Sequence, residues 1–79
     1  SAWGVLLQKF LSSDELDKKA RDSFLKTIAE NPDHSMANLR LAMLYFKYSN
    51  REKGLFYAKK ALESDPDNSE ARELLQRYN

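Results

Sequence analysis

Two short stretches, Asn31-Pro32-Asp33-His34-Ser35 and Asp65-Pro66-Asp67-Asn68-Ser69, decide the fold because they place the same turn twice, 34 residues apart. Two further sets of residues keep this interval. The first is Leu7, Leu41 and Leu75, and the second is Ser1, Ser35 and Ser69. A fixed period of this length in a helix-rich chain indicates a repeated helical hairpin. The interval therefore sets a register for the whole chain.

The composition predicts one small all-α domain. The chain has 79 residues, and its two Gly and two Pro leave few positions that break helices. Its net charge of +1 comes from 13 basic and 12 acidic residues, so it lacks the concentrated basic field of a nucleic-acid-binding domain. There is no Cys, which excludes a disulfide framework and a Cys-based metal site.

The sequence also bears on location. No apolar run approaches the length needed to cross a membrane, and no signal peptide is visible. We therefore expect a soluble protein of the cytoplasm or periplasm. The chain begins at Ser1 without an initiator Met, and we expect a trimmed domain or a processed product.

Apolar residues at intervals of three and four predict five amphipathic helices. The predicted segments cover roughly residues 2–11, 14–30, 36–48, 51–64 and 69–79. Ser12 and Glu15 have the spacing of a capping box for the second segment, as do Asp67 and Glu70 for the fifth. Ser35 is the expected cap of the third. A proline follows the second and fourth segments and ends them.

In this register the chain resembles the tetratricopeptide repeat, a helix–turn–helix unit of 34 residues. Residues 35–68 match the family's preferred residue types at Leu41, Ala42, Tyr45, Gly54, Ala61 and Pro66, and depart at Asn38 and Ala58. Residues 1–34 match at Leu7, Ala20, Phe24 and Pro32, and depart at Gly4, Gln8 and Thr27. The resemblance implies two repeats, residues 1–34 and 35–68, and a capping helix over residues 69–79. It implies a right-handed superhelical stack of antiparallel helical hairpins with five helices.

The resemblance also implies a binding groove, because the first helix of each hairpin lines the concave side of such stacks. The expected partner-binding residues are Val5, Leu6, Lys9, Met36, Leu39, Arg40, Met43, Phe46, Lys47, Glu73, Leu74 and Arg77. An apolar groove suits an amphipathic helix or an apolar peptide. Alternatively, tight curling would bury Met36, Leu39, Met43 and Phe46 between helices, and these residues would be core.

One ligand of the family is not expected. Some members bind the acidic C-terminal tail of heat-shock chaperones through a carboxylate clamp of Lys, Asn and Arg. The residues at the five clamp positions are Val5, Lys9, Arg40, Glu70 and Leu74, and none matches.

No residue set in the chain predicts catalysis, a cofactor or a metal. His34 is the only His and stands in a turn beside Asp33, which is too little for a metal site or a nucleophile–base pair. Gly4 and Gly54 do not form a phosphate-binding loop. The basic residues of the fourth segment are interpreted as a solvated face, since single-strand binding needs more charge and placed aromatics. Phe56 is a candidate exposed aromatic.

The sequence thus predicts a non-catalytic protein-interaction module for a peptide or helix, with no nucleic acid and no membrane insertion. The alternative is a structural role, either as a segment of a longer helical-repeat protein beside a neighbouring domain or as a homo-oligomerisation domain. Apolar residues of the first segment would then be covered by an upstream repeat or a second copy.

Overall fold

The computed structural model describes residues 12–79, which are 81% helical and contain no strand. Their four helices are α1 (Ser13–Glu30), α2 (Ser35–Lys47), α3 (Arg51–Ser64) and α4 (Ser69–Tyr78). The all-α class is confirmed. None of these four helices is long and apolar enough to cross a membrane. The first predicted helix, with the expected site residues Val5, Leu6 and Lys9, lies outside the described residues.

Side-chain acceptors fix where the helices begin. The predicted capping box of α1 is confirmed, because Ser12 Oγ accepts the Glu15 N–H at 3.1 Å and the Glu15 carboxylate accepts the Ser12 N–H at 3.4 Å. Asn50 caps α3 by accepting the Lys53 N–H. It follows Ser49, whose positive φ of 63° makes the tight turn out of α2.

Two predicted caps are wrong by one residue. His34, not Ser35, caps α2, because its Nδ1 accepts the Ala37 N–H at 3.1 Å. The Ser35 hydroxyl instead donates to the Ala61 carbonyl at the far end of α3. Asn68, not Asp67, caps α4 in the same way.

The two proline-containing turns have the same backbone geometry. Asn31 has φ −141° and ψ 88°, and Asp65 has φ −142° and ψ 88°. The His34 N–H donates to the Asn31 carbonyl at 3.1 Å, and the Asn68 N–H donates to the Asp65 carbonyl at 3.0 Å. In both turns the residue before proline is held out of the helical region. The two stretches that are 34 residues apart in the sequence therefore have the same local structure.

Neighbouring helices pack antiparallel. Ser35 at the start of α2 bonds to Ala61 near the end of α3, while Phe46 near the end of α2 lies over Gly54 near the start of α3. Arg51 at the start of α3 donates to the carbonyl of Tyr78 at the end of α4 at 2.6 Å. Consequently α2 and α4 run parallel to each other and also touch.

The core lies between α2, α3 and α4 and depends on small side chains. Its buried apolar residues are Ala37, Leu39, Leu41, Ala42, Phe46, Ala58, Ala61 and Ala71. Gly54 admits the closest approach, since a Cβ there would lie 2.5 Å from the Phe46 ring. The helices therefore meet closely where α3 offers only glycine and alanine to α2.

Asn38 is fully buried in this core, although it is polar. Its amide donates to the carbonyls of Pro32 and His34 at 3.1 and 2.9 Å, which ties the turn before α2 to the helix. At the equivalent place after the second turn, Arg72 donates to the Pro66 carbonyl at 2.8 Å. Each turn is thus restrained through the carbonyl of its own proline, by Asn38 at Pro32 and by Arg72 at Pro66.

The α1 helix packs against α2 but contains no fully buried residue. The apolar spacing of α1 predicts that Leu16, with Ala20, Phe24 and Ile28, lies on its buried side. This prediction is wrong for Leu16, because 43% of it is exposed. Ala20, Phe24 and Ile28 are half-buried. The fully buried residues of the described part of the chain thus belong to the other three helices.

Candidate interaction surface

The exposed side of α2 carries two methionines and two cations in a single row. Met36 is 52% and Met43 is 40% exposed, and Arg40 and Lys47 are exposed beside them. Their spacings of four, three and four residues place all four side chains on one helix face. We refer to Met36, Arg40, Met43 and Lys47 as the α2 stripe.

Two residues that were expected in the groove lie in the core instead. Leu39 is 1% exposed and packs with Ala61 and Ala71, and Phe46 is 8% exposed. The Phe46 ring stacks on Tyr78 with centroids 4.0 Å apart. Because α4 covers this edge of α2, the apolar row of the sequence is divided, with its methionines outside and its Leu and Phe inside.

The α4 helix presents a second exposed row. Glu70, Glu73 and Arg77 are exposed, on the side of α4 turned away from the buried Ala71 and from Leu75. Leu74 is half-buried against both halves of the core. We call Glu70, Glu73 and Arg77 the α4 stripe.

The two stripes lie side by side. Leu39 is level with Ala71, and Phe46 is level with Tyr78, so the parallel helices are aligned nearly end to end. Glu70 therefore lies near the level of Met36, and Arg77 near that of Met43. We call the α2 stripe and the α4 stripe together the two-helix face, with α3 behind it.

Opposite charges stand at the two ends of the α4 stripe. Glu70 lies near the level of Met36, and Arg77 lies two helical turns, or about 10 Å, further along, near the level of Met43. Glu73 and Arg40 lie at levels between these ends. The face therefore carries charged side chains at and between the levels of its two methionines.

Lys47, the last residue of α2, is engaged with α1. Its Nζ lies 2.5 Å from an Asp17 carboxylate oxygen and 3.4 Å from Ser13 Oγ. The hydrogen bonds of Lys47 and then Tyr48 hold the pKa of Asp17 below its ordinary value. The Tyr48 hydroxyl, which lies within hydrogen-bonding distance of Asp17 and of Asp14, has its pKa raised in turn, mainly by the Asp17 hydrogen bond. This exposed cluster joins the start of α1 to the end of α2.

Beside this cluster is a cleft of about 380 Å³ that sequence reasoning missed. The lining residues are Asp14, Asp17, Lys18, Arg21, Leu44, Tyr45, Tyr48 and Asn50. Two carboxylates and two cations balance each other there, so the cleft has no strong charge preference. No local sequence pattern marks it, because its lining residues come from two separate segments, the first half of α1 and the end of α2 with the turn that follows.

Two of the four basic residues of α3 lie over aromatic rings. Lys60 Nζ lies 5.5 Å from the centroid of Phe56, and Lys53 Nζ lies 5.4 Å from that of Tyr45. The expectation that Phe56 is exposed is confirmed, since 55% of it is accessible. These cations cover rings individually and do not gather into one basic field.

Within residues 12–79, no group of three or more His, Cys, Asp and Glu side chains is placed to hold a metal ion. His34 uses its Nδ1 as a helix cap. Comparison of the chain with protein-family models, curated proteins and solved structures found no match. Function is therefore inferred from the surface itself.

Proposed function

We propose that the chain is a non-catalytic protein-interaction module built from tetratricopeptide-like repeats, stacked as a right-handed superhelix. The repeats are residues 1–34 and 35–68, with a capping helix over residues 69–79. A helix or peptide of a partner protein binds on the two-helix face. The observation that carries the proposal is the exposure of Met36 and Met43 on one face beside Arg40.

The repeated turns support the repeat architecture. The paired backbone angles at Asn31 and Asp65 and the paired hydrogen bonds of His34 and Asn68 keep the 34-residue interval in three dimensions. Such units cannot bury their apolar faces alone, and each depends on its neighbours. The polar outer side of α4 suits a helix that ends the stack.

The chemistry of the two-helix face supports a protein partner. The face combines two exposed methionines with Arg40 between them, and methionine and arginine are both enriched at protein–protein interfaces. Methionine adapts its shape to an apolar side chain of the partner. An amphipathic helix that presents apolar residues at intervals of three and four would meet both Met36 and Met43.

The test is capture of partner proteins from an extract of the source cells on the immobilised chain. We compare the original chain with Met43→Glu and with Phe56→Glu, a matched control that puts the same charge on an exposed apolar position outside the face. We expect specific proteins on the original chain and on Phe56→Glu, but not on Met43→Glu. Their binding is then measured with purified components by calorimetry.

Circular dichroism is the folding control. Met43→Glu should keep its helicity because the side chain is 40% exposed, whereas Leu39→Glu should unfold because it buries a charge. Equal capture by Met43→Glu and the original chain would show that the face is not the binding site.

A further inference from the structure

Resting on the interaction role proposed above, we infer that the two-helix face binds an amphipathic helix with an acidic first turn and a basic last turn. This helix runs antiparallel to α2 and α4. It presents two apolar residues seven positions apart, with an acidic residue between them. The charges of the face thus select both the chemistry of the partner and its direction.

Three apolar side chains set where the partner helix lies. Met36 and Met43 are exposed and are seven residues, or about 10 Å, apart along α2. Leu74 of α4 is half-buried against the core cluster that contains Leu39 and against the cluster that contains Phe46, so it lies where α4 meets α2. A helix laid along this junction, with apolar residues at intervals of three, four and seven, contacts the methionines and Leu74 together.

Arg40 adds a charge between the methionines. It is exposed and lies within about one helical turn of both Met36 and Met43. Within residues 12–79, the two ion pairs involve neither Arg40 nor any residue of the α4 stripe. Covering an unpaired guanidinium with an apolar surface is costly. The partner therefore needs an acidic residue between its two apolar ones.

The α4 stripe fixes the direction of the partner helix. Glu70 in the first turn of α4 and Arg77 in its last turn are exposed at opposite ends of the stripe. Complementary charges place a cation of the partner at the level of Glu70 and an anion at that of Arg77. Glu73, between these ends, takes a second cation.

The dipole of the partner helix agrees with these charges in one direction only. Acidic residues stabilise the first turn of a helix, and basic residues stabilise its last turn. An antiparallel helix puts its acidic first turn at Arg77 and its basic last turn at Glu70. A parallel helix would instead need cations at its own N-terminus, where its dipole disfavours them.

The size of the face indicates a weak, reversible complex. Helices about 10 Å apart and about 20 Å long offer a few hundred Å², below the ~800 Å² per partner of a stable interface. Binding is therefore measured up to millimolar concentration. The selection by charge should weaken at high ionic strength, because exposed charge pairs are screened.

The test is fluorescence anisotropy of two labelled synthetic helices, titrated with the full chain at low salt. Both have the same apolar residues and the same central acidic residue, and a side-chain staple on the outer surface keeps both helical. One has an acidic first turn and a basic last turn, and the other has these end charges exchanged. The original chain should bind the acidic-first helix about fivefold more tightly, which is the size expected of two exposed ion pairs.

Exchanging the charges of the chain should reverse this preference. The double variant E70K/R77E should bind the basic-first helix more tightly. The matched control is E52K/K59E, because Glu52 and Lys59 are exposed at the same spacing on α3, outside the face. It should keep the preference of the original chain. Arg40→Glu should weaken the binding of both helices alike, because they share the central acidic residue.

Equal affinity of the original chain for the two helices, or a preference that E70K/R77E leaves unchanged, would overturn the inferred direction. Failure of both helices to bind would overturn the helical partner. Tighter binding of an unstapled peptide with a central proline would assign the face to an extended segment, and self-association that excludes both helices would assign it to a second copy. If capture of other proteins still depends on Met43 in these cases, the interaction module stands and only its inferred partner is wrong.

Discussion

The two sides of α2 are alike in sequence and unlike in structure. Leu39 and Met43 are one turn apart and similar in size, yet 1% of Leu39 and 40% of Met43 are exposed. The difference arises from α4, which covers the edge of α2 that carries Leu39 and Phe46 and leaves the α2 stripe open. Apolar periodicity therefore identifies the helix, but the neighbouring helix decides which apolar residues are core.

The largest predicted effect is a difference in the free energy of unfolding between variants at a buried and at an exposed residue of α2. Leu41→Ala should lower the free energy of unfolding by about 2–5 kcal/mol, because Leu41 is fully buried and its loss leaves a cavity. Met36→Ala should change it by about 0.5 kcal/mol or less, as at other exposed positions. Urea denaturation of both variants measures the contrast, and similar losses would mean that Met36 also belongs to the core.

A smaller effect is expected where α2 and α3 touch most closely. Gly54→Ala should destabilise by about 1–3 kcal/mol, because the added methyl group meets the Phe46 ring. This strain exceeds the gain of up to about 1 kcal/mol in helix propensity. In a Phe46→Leu background the same substitution should become neutral or stabilising. A double-mutant cycle by urea denaturation tests this, and additive effects would refute the contact.

The smallest effect concerns Asp17, which joins α1 to the α2 stripe through Lys47. Its pKa is lowered in the folded state, so its contribution to stability is present above the ordinary value of 3.8 and is lost as the pH falls through the lowered value. Asp17→Asn should therefore flatten the dependence of the melting temperature on pH below about pH 4. The pair is exposed, so the difference should be modest. Identical profiles for both proteins between pH 2 and 5 would exclude this contribution.

Local signals predicted most of the described fold. The ends of α1 and α3 follow from prolines, and the capping box at Ser12 and Glu15 follows from spacing, because each depends on residues a few positions apart. The cap of α2 did not follow from spacing. Ser35 and His34 can both accept the required hydrogen bond, and a distant carbonyl, that of Ala61, engages Ser35.

The candidate surface was less predictable for the same reason. The sequence placed Met36, Leu39, Met43 and Phe46 in one row, and only the alignment of α4 with α2 divides that row. The link between Lys47 and Asp17 joins residues 30 positions apart, and no local pattern marks it. Contacts between helices decide these features, and single-helix periodicity does not contain them.

The most direct test of the central claim is the reactivity of single cysteines on the two sides of α2, which is practical because the chain has no Cys. Dilute, folded Met43→Cys should react with a thiol reagent nearly as fast as the unfolded protein, whereas Leu39→Cys should react only through unfolding. Equal protection of both positions in the dilute protein would contradict the division of α2 into a core side and an exposed side.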